Sequence, residues 1–434
     1  MINYFKIFFF LILLTSCSLN PNSSLWTKDK KINIEDARNI KDITKKESIL
    51  QREINPNIKI NFSNAKKINS FQKQLTNNDG FTNYNGDLKK ISKFKYSKID
   101  NFNQYEPTIS AEKNNIIFFD NKGSILKFDN NSKLVWKSNY YSKREIKNKP
   151  VLFFSNNQNI LIVADTLAKY YALDINNGNI LWSKNNTSPF NSQIKILNDK
   201  FYVVDDANNL ICFSLKDGEK LWNYKVESSL IKSQKKISIV VQNEKIIFNS
   251  SLGDLTAVHI DTGKLIWQTP TQKQSVYEDA MFLKNSDLVI AKDSVLFSNN
   301  TNEFFSIDLT TGLFNWKQSI NSSLRPVYVD NYIFTISEEG YLFVIDFKSG
   351  NIIRSTHIIK NLKLKKRNKF IPVGFIVGSN NIYLTTSTGR LFIIDIKTGI
   401  TQKIIKIDNE KISRPIALRE NIYITKNDSI IKLN

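Results

Sequence analysis

The sequence predicts an all-β protein: an eight-bladed β-propeller of four-stranded antiparallel blades, with seven blades as the alternative count. Three observations carry this expectation. A strand–turn–strand phrase recurs at Ala172–Trp182 (ALDINNGNILW), Cys212–Trp222 (CFSLKDGEKLW), Ala257–Trp267 (AVHIDTGKLIW) and Ser306–Trp316 (SIDLTTGLFNW), with degraded copies at Lys127–Trp136, Val344–Arg354 and Ile393–Lys403. The glycines that close its turns fall at 178, 218, 263, 312, 350 and 399, a repeat of 38–49 residues. The runs between them are short and rich in β-branched and aromatic residues, which suits strands and excludes a helical solenoid.

The elements follow in order. Residues 1–16 (MINYFKIFFFLILLTS) hold one early lysine and an apolar run too short to span a bilayer, which reads as a signal peptide. Leu14-Thr15-Ser16-Cys17 resembles a bacterial lipobox. That resemblance makes Cys17 the lipidation site, diacylated on its thiol and acylated (palmitate or a similar chain) on its amine. Ser18 in the following position implies export to the outer membrane. Several acyl chains hold a protein at a membrane where one would not. Residues 17–90 are read as a lipidated, basic, mostly flexible tether, with a weak helix offered by Asn33–Ile54 behind an Asn33 cap. Residues 18–95 contain 16 Lys+Arg against 8 Asp+Glu. Such an excess places the tail along an anionic leaflet near its own anchor.

The propeller is expected over 91–434. Each unit opens with a short strand, often behind a proline: Lys149-Pro150, Arg325-Pro326, Ile371-Pro372, Arg414-Pro415. Turns such as Glu339-Gly340 and Thr388-Gly389 lead into the third strand, and the Asp-x-x-x-Gly turn leads into the fourth. Seven units are complete between residues 105 and 407. The eighth, Ser413–Asn434, supplies three strands, and the alternating stretch Ile91–Ile99 is expected to complete it and close the ring. The tryptophans 136, 182, 222, 267 and 316 recur at one blade position and are read as packing between blades. Arg354 and Lys403 stand where tryptophan is expected, so looser packing is predicted there. Asp174, Asp308, Asp346 and Asp395 are read as turn-formers, as is His259 in the same place.

Composition narrows the function. The formal net charge is +21, with Lys+Arg 61 against Asp+Glu 40. Lys, Asn and Ile are abundant together, as AT-rich genomes encode, and no basic helix, zinc spacing or aromatic RNA-binding signature accompanies the charge, so nucleic acid is not an expected partner. Cys17 and Cys212 are the two cysteines, and Cys17 lies in the targeting segment. An internal disulfide and a thiolate metal cluster are therefore both excluded. His259 and His357 sit in different blades with no nucleophile–base pattern around them. Catalytic, cofactor and metal residues are accordingly expected to be none, and the protein is read as not an enzyme.

The phrase ALDINNGNILW resembles the pyrroloquinoline-quinone repeat. Lipobox, tether and about eight such blades together resemble the BamB family of lipoproteins in the outer-membrane β-barrel assembly machinery. The likeness covers roughly residues 66–434. In one stretch, Asn69–Gln74 with Asp79-Gly80, the family's tryptophan and double glycine are not kept, Phe71 standing for the former. The resemblance implies a scaffold at the periplasmic face of the outer membrane of a Gram-negative bacterium. It implies two partners: the barrel-inserting subunit and unfolded outer-membrane proteins. It also places partner contacts on the loop into blade four, at Leu230, Ile231 and Lys232, with Glu278 and Asp279 shifted from an acidic pair of the family. A quinone-dependent dehydrogenase is the alternative of another class, but such enzymes carry a vicinal cysteine pair and clustered acidic ligands for calcium. An envelope scaffold with a different protein partner is the third reading.

Overall fold

The computed structural model describes residues 49–61, 70–102, 105, 108–157, 159–227, 233–271 and 282–434. The chain forms eight four-stranded antiparallel sheets. Blades one to seven span 110–138, 152–185, 195–225, 239–269, 289–318, 327–357 and 372–406. Blade eight joins Ile416–Leu418, Asn421–Lys426 and Ser429–Leu433 to Lys90–Lys95, which pairs antiparallel with the last of them. Eight blades and closure by an N-terminal strand are thus as expected, with the closing strand ending at Lys95 rather than Ile99. Phe94 opposes Ile430, is fully buried, and packs edge-on against Phe128 of blade one at 5.7 Å.

Blade two shows how sequence makes a blade. Its inner strands Leu152–Asn156, Ile160–Asp165 and Lys169–Asp174 are buried on both faces, so they read as nearly continuous apolar runs. The Asp174 carboxylate accepts from Asn176 N at 2.7 Å, and Gly178 N donates to Asp174 O at 2.9 Å. Gly178 has φ +76, and a Cβ there would meet the Trp136 ring of blade one at 2.7 Å. Only glycine satisfies both demands.

Each indole therefore lies on the glycine turn of the next blade. Trp136 Nε1 donates to Ile175 O at 3.2 Å, Trp182 to Leu215 O at 3.2 Å, Trp267 to Leu309 O at 3.3 Å and Trp316 to Phe347 O at 3.0 Å. The packing role expected of the tryptophans is what the structure has. The looser packing expected at Arg354 is not. Arg354 is fully buried, Nη2 donates to Ile396 O at 2.8 Å, and Nη1 donates to Ile58 O at 3.0 Å and to Lys397 O. A guanidinium is a flat plate with N–H groups on its rim, so it covers the blade-seven turn as an indole would. Burial pulls its pKa down to about 10, which leaves it a cation at neutral pH. Lys403 is exposed, and no turn joins the third and fourth strands of blade eight for it to cover.

A bulge recurs opposite the tryptophan, between Ala172 and Leu173 in blade two and at the matching place in the other repeats. It turns apolar residues that precede the indole outward. Ile180 and Leu181 are 40% and 52% exposed, Leu265 and Ile266 48% and 40%, and Leu313 and Phe314 69% and 47%.

Within the stretch read as tether, residues from Ile49 onward lie against the ring. Ile54 forms an antiparallel bridge with Ser355, the outer strand of blade six, through N–O distances of 3.1 and 2.9 Å. Ile60 is buried among Val344, Phe392 and Ile396 of blades six and seven. The six residues of the expected Asn33–Ile54 helix that are described, 49–54, are not helical. Further on, helix Ser70–Thr76 seats Leu75 among Tyr202, Val241 and Ile260.

Candidate functional site: the charged mouth of the channel

The first strand of every blade lines the axis of the ring, and those of blades one to five touch in sequence. Residues 77–80 enter this channel after the helix Ser70–Thr76. Asn77 Nδ2 donates to Leu288 O at 2.9 Å and lies within 3.3 Å of Gln193 Oε1, Ser238 Oγ and Ile239 O, so one amide joins blades three, four and five. Lys195 Nζ donates to Asn77 Oδ1 at 2.6 Å and to Gln74 O. Gly80 packs so closely on Val327 that a Cβ would sit 2.4 Å from its methyl.

Asp79 reaches the axis between two arginines. Arg325 Nη1 donates to it at 2.8 Å and Arg414 Nη2 at 3.1 Å. Arg325 also donates through Nε to Asp287 at 2.9 Å, with Nη2 on the same oxygen. Burial alone would raise both carboxyls; the guanidinium groups outweigh it and hold Asp79 and Asp287 well below the usual carboxylate range. Burial, reinforced by Arg325, pulls Lys195 down to about 7. The sequence reading missed this cluster, although the Arg-Pro pairs at 325 and 414 and the Asp79-Gly80 pair were each visible in it.

On the side where blades connect, this cluster floors a cavity of about 70 Å³ lined by Tyr105, Lys235, Lys236, Lys411 and Arg414. Lys235 Nζ donates to Ser323 O at 2.8 Å. Leu230, Ile231 and Lys232 lie outside the described residues, as do Glu278, Asp279 and Cys17. The anchor points of the two loops are described, and they meet: Ser233 Oγ donates to Leu283 O at 2.6 Å. The described C-terminal ends of the loops into blades four and five therefore lie side by side, next to Phe282, which is 65% exposed.

Cys212, His259 and His357 lie on blades three, four and six, away from this cluster. Burial pushes the Cys212 thiol up to about 12, far from a nucleophilic thiolate. His259 Nδ1 accepts from Asp261 N at 3.2 Å within its own turn, and His357 stacks on Tyr341 at 4.5 Å.

A family model described as outer membrane protein assembly factor BamB matches residues 121–356, more than half of the chain. The chain is 23% identical over 281 residues to the outer membrane protein assembly factor BamB of Moranella endobia, covering 57% of this chain and 66% of that one. It spans between about half and two thirds of the length of the curated relatives it matches. BamB from Moraxella catarrhalis has a similar solved structure, with a TM-score of 0.65 at 13% identity over 80% of this chain and 100% of that one. The quinohemoprotein alcohol dehydrogenase from Comamonas testosteroni reaches a TM-score of 0.61 at 10% identity, over 83% and 77%. Likeness at such identities speaks to the fold alone.

Proposed function

The chain belongs to the family of the outer membrane protein assembly factor BamB, and from that we propose a non-enzymatic scaffold, lipid-anchored through Cys17 at the periplasmic face of the outer membrane, that binds the barrel-inserting subunit and assists assembly of β-barrel proteins. Leu230, Ile231 and Lys232 are the proposed contacts with that subunit. The contact of Ser233 with Leu283, at the described ends of the loops into blades four and five, supports a joint docking face there, with exposed Phe282 beside it. A partner that covers such apolar groups removes their contact with water.

Unfolded barrel proteins are the second proposed partner, held as extended segments on outer strands. The observation that carries this is Ile54: an extended stretch of the chain itself already pairs with the outer strand of blade six. Exposed apolar pairs flank comparable edges on blades two, four and five. The cluster around Asp79 favours a scaffold over quinone chemistry, because the chain's own residues occupy the axis at the level of Arg325 and Arg414.

Affinity purification from membranes in mild detergent tests the reading. The wild-type chain is expected to bring the barrel-inserting subunit with it, and Leu230→Asp with Ile231→Asp to lose it at least tenfold. Absence of that subunit from the wild-type eluate overturns the proposal.

A further inference from the structure

The loop joining blades six and seven has a composition unlike the rest of the ring. From Phe347 to Ile394 the sequence contains nine Lys or Arg and no Asp or Glu. The loop carries a single helical turn, Leu364–Arg367, with Lys363, Lys365, Lys366 and Lys369 all exposed. Among the described residues these four lysines make no ion pair, whereas Lys360 at the base of the loop pairs with Glu53 at 3.1 Å. Arg367 does not project outward. Its Nε donates to Leu362 O at 2.7 Å and its Nη2 to Lys360 O, which fastens the loop upon itself. So held, Leu364 and Ile371 stand out at 71% and 59% exposure. A groove of about 270 Å³ runs beside the loop along the outer strand of blade seven, lined by Leu362, Lys360, Ile400, Lys403 and Ile404.

We infer that this edge of the ring docks on an anionic phospholipid surface, with the four ammonium groups at the level of the phosphates and Leu364 and Ile371 beneath them. Three features select lipid over an acidic protein. The apolar groups are single exposed side chains beside cations, Leu364 between Lys363 and Lys365 and Ile371 two residues past Lys369, which is the arrangement that enters a headgroup layer. The lysines are unpaired among the described residues, so no resident ion pair has to break when phosphate arrives. The N-terminal end of the described chain is fastened at this place, Glu53 pairing with Lys360 and Ile54 bridging to blade six. An anchor and a basic patch are the two signals that together hold a protein stably at a membrane.

Vesicle co-sedimentation of the full chain carrying Cys17→Ser, so that acyl groups play no part, is the test. The probes are vesicles of phosphatidylglycerol with phosphatidylethanolamine, and vesicles of phosphatidylcholine alone. Binding is expected to the anionic vesicles only, and to vanish at about 0.5 M salt. Each lysine near an anionic surface is worth about fivefold. Reversing Lys363, Lys365, Lys366 and Lys369 to Glu is therefore expected to weaken binding by on the order of a hundredfold or more. Reversing four exposed lysines on other blades, Lys133, Lys216, Lys220 and Lys264, serves as the matched control and is expected to weaken it far less. Equal loss in the two variants overturns the inference, because the binding then reflects diffuse net charge or the basic tail. Retained binding in the loop variant, or no binding by the unmodified loop, overturns it as well. Capture of an acidic protein by the loop with no affinity for anionic vesicles assigns the patch to a protein instead. Co-purification of the barrel-inserting subunit is a separate readout, so this inference can fail while the scaffold reading stands.

Discussion

At the residue scale, two buried cations carry the least expected chemistry of the molecule. Arg354 occupies the tryptophan position of blade six and answers carbonyls of residues 58, 396 and 397. Truncation leaves those oxygens without a donor and opens a cavity, so Arg354→Ala is expected to cost about 3 kcal/mol in urea unfolding. Arg354→Lys should recover little, because one ammonium cannot span three carbonyls, while Arg354→Trp should recover more. Lys195 makes the chain sensitive to alkaline pH. With a folded pKa of about 7, against about 10.4 when unfolded, the unfolded chain holds a proton between those values that the folded chain has released. Stability contributed by this site therefore rises with pH from about 7 to about 10 and is flat outside that window. Unfolding free energies at several pH values should show a rising slope in the wild type that Lys195→Met removes. Asp287 acts in the opposite range. Held low by Arg325, it supports the fold above the ordinary carboxylate pKa and loses that support as pH falls further, so Asp287→Asn should flatten the acid limb of the same profile.

At the element scale, the blade was legible because its physics repeats. Gly178 and Trp182 recur with their spacing, and the alternation of Ile91–Ile99 was enough to identify a closing strand. What was not legible has no period. The bridge from Ile54 to Ser355 is a single residue pair just over 300 positions apart, and neither residue type announces it. Arg354 looked like a decayed tryptophan because composition scales separate arginine from indole, whereas packing on a glycine turn needs only a flat plate with a donor edge. The outward turn of Ile180 and Leu181 was hidden for a related reason: a bulge shifts the alternation by one residue, and the run ILW reads as buried throughout. The closing strand gives a sharp test. Phe94 is buried between Phe128 and Tyr423, across the seam of blades one and eight. Phe94→Ala is expected to destabilise by about 3–5 kcal/mol, and hydrogen exchange at Ile430 should rise before exchange in blade four.

At the scale of the whole molecule, the ring and its count of blades follow from the sequence, but the candidate site follows from convergence. Asp79, Asp287, Arg325 and Arg414 are spread over more than 330 positions, and only closure of eight blades brings them within hydrogen-bond distance. A motif search along the chain has no window wide enough to see them. The same holds for the two loops whose bases meet at Ser233 and Leu283, which are about 50 residues apart in sequence.

The order in which the N-terminal segment meets the ring has a mechanical consequence. Among the described residues, a pull on the chain from its N-terminal side reaches Leu50, Gln51 and Ile54 on blades five and six first, then Ile60, then Asn77 and Asp79 inside the channel, and only then the closing strand Lys90–Lys95. Hydrogen bonds loaded one after another from an end unzip at low force, and a closing seam attached directly to a tether would be exposed to that mode. Here the load is taken up upstream, by contacts spread over several blades, before it reaches the seam. A pull from the N-terminal side is thus borne by fastenings that can give way and re-form while the circle itself stays shut.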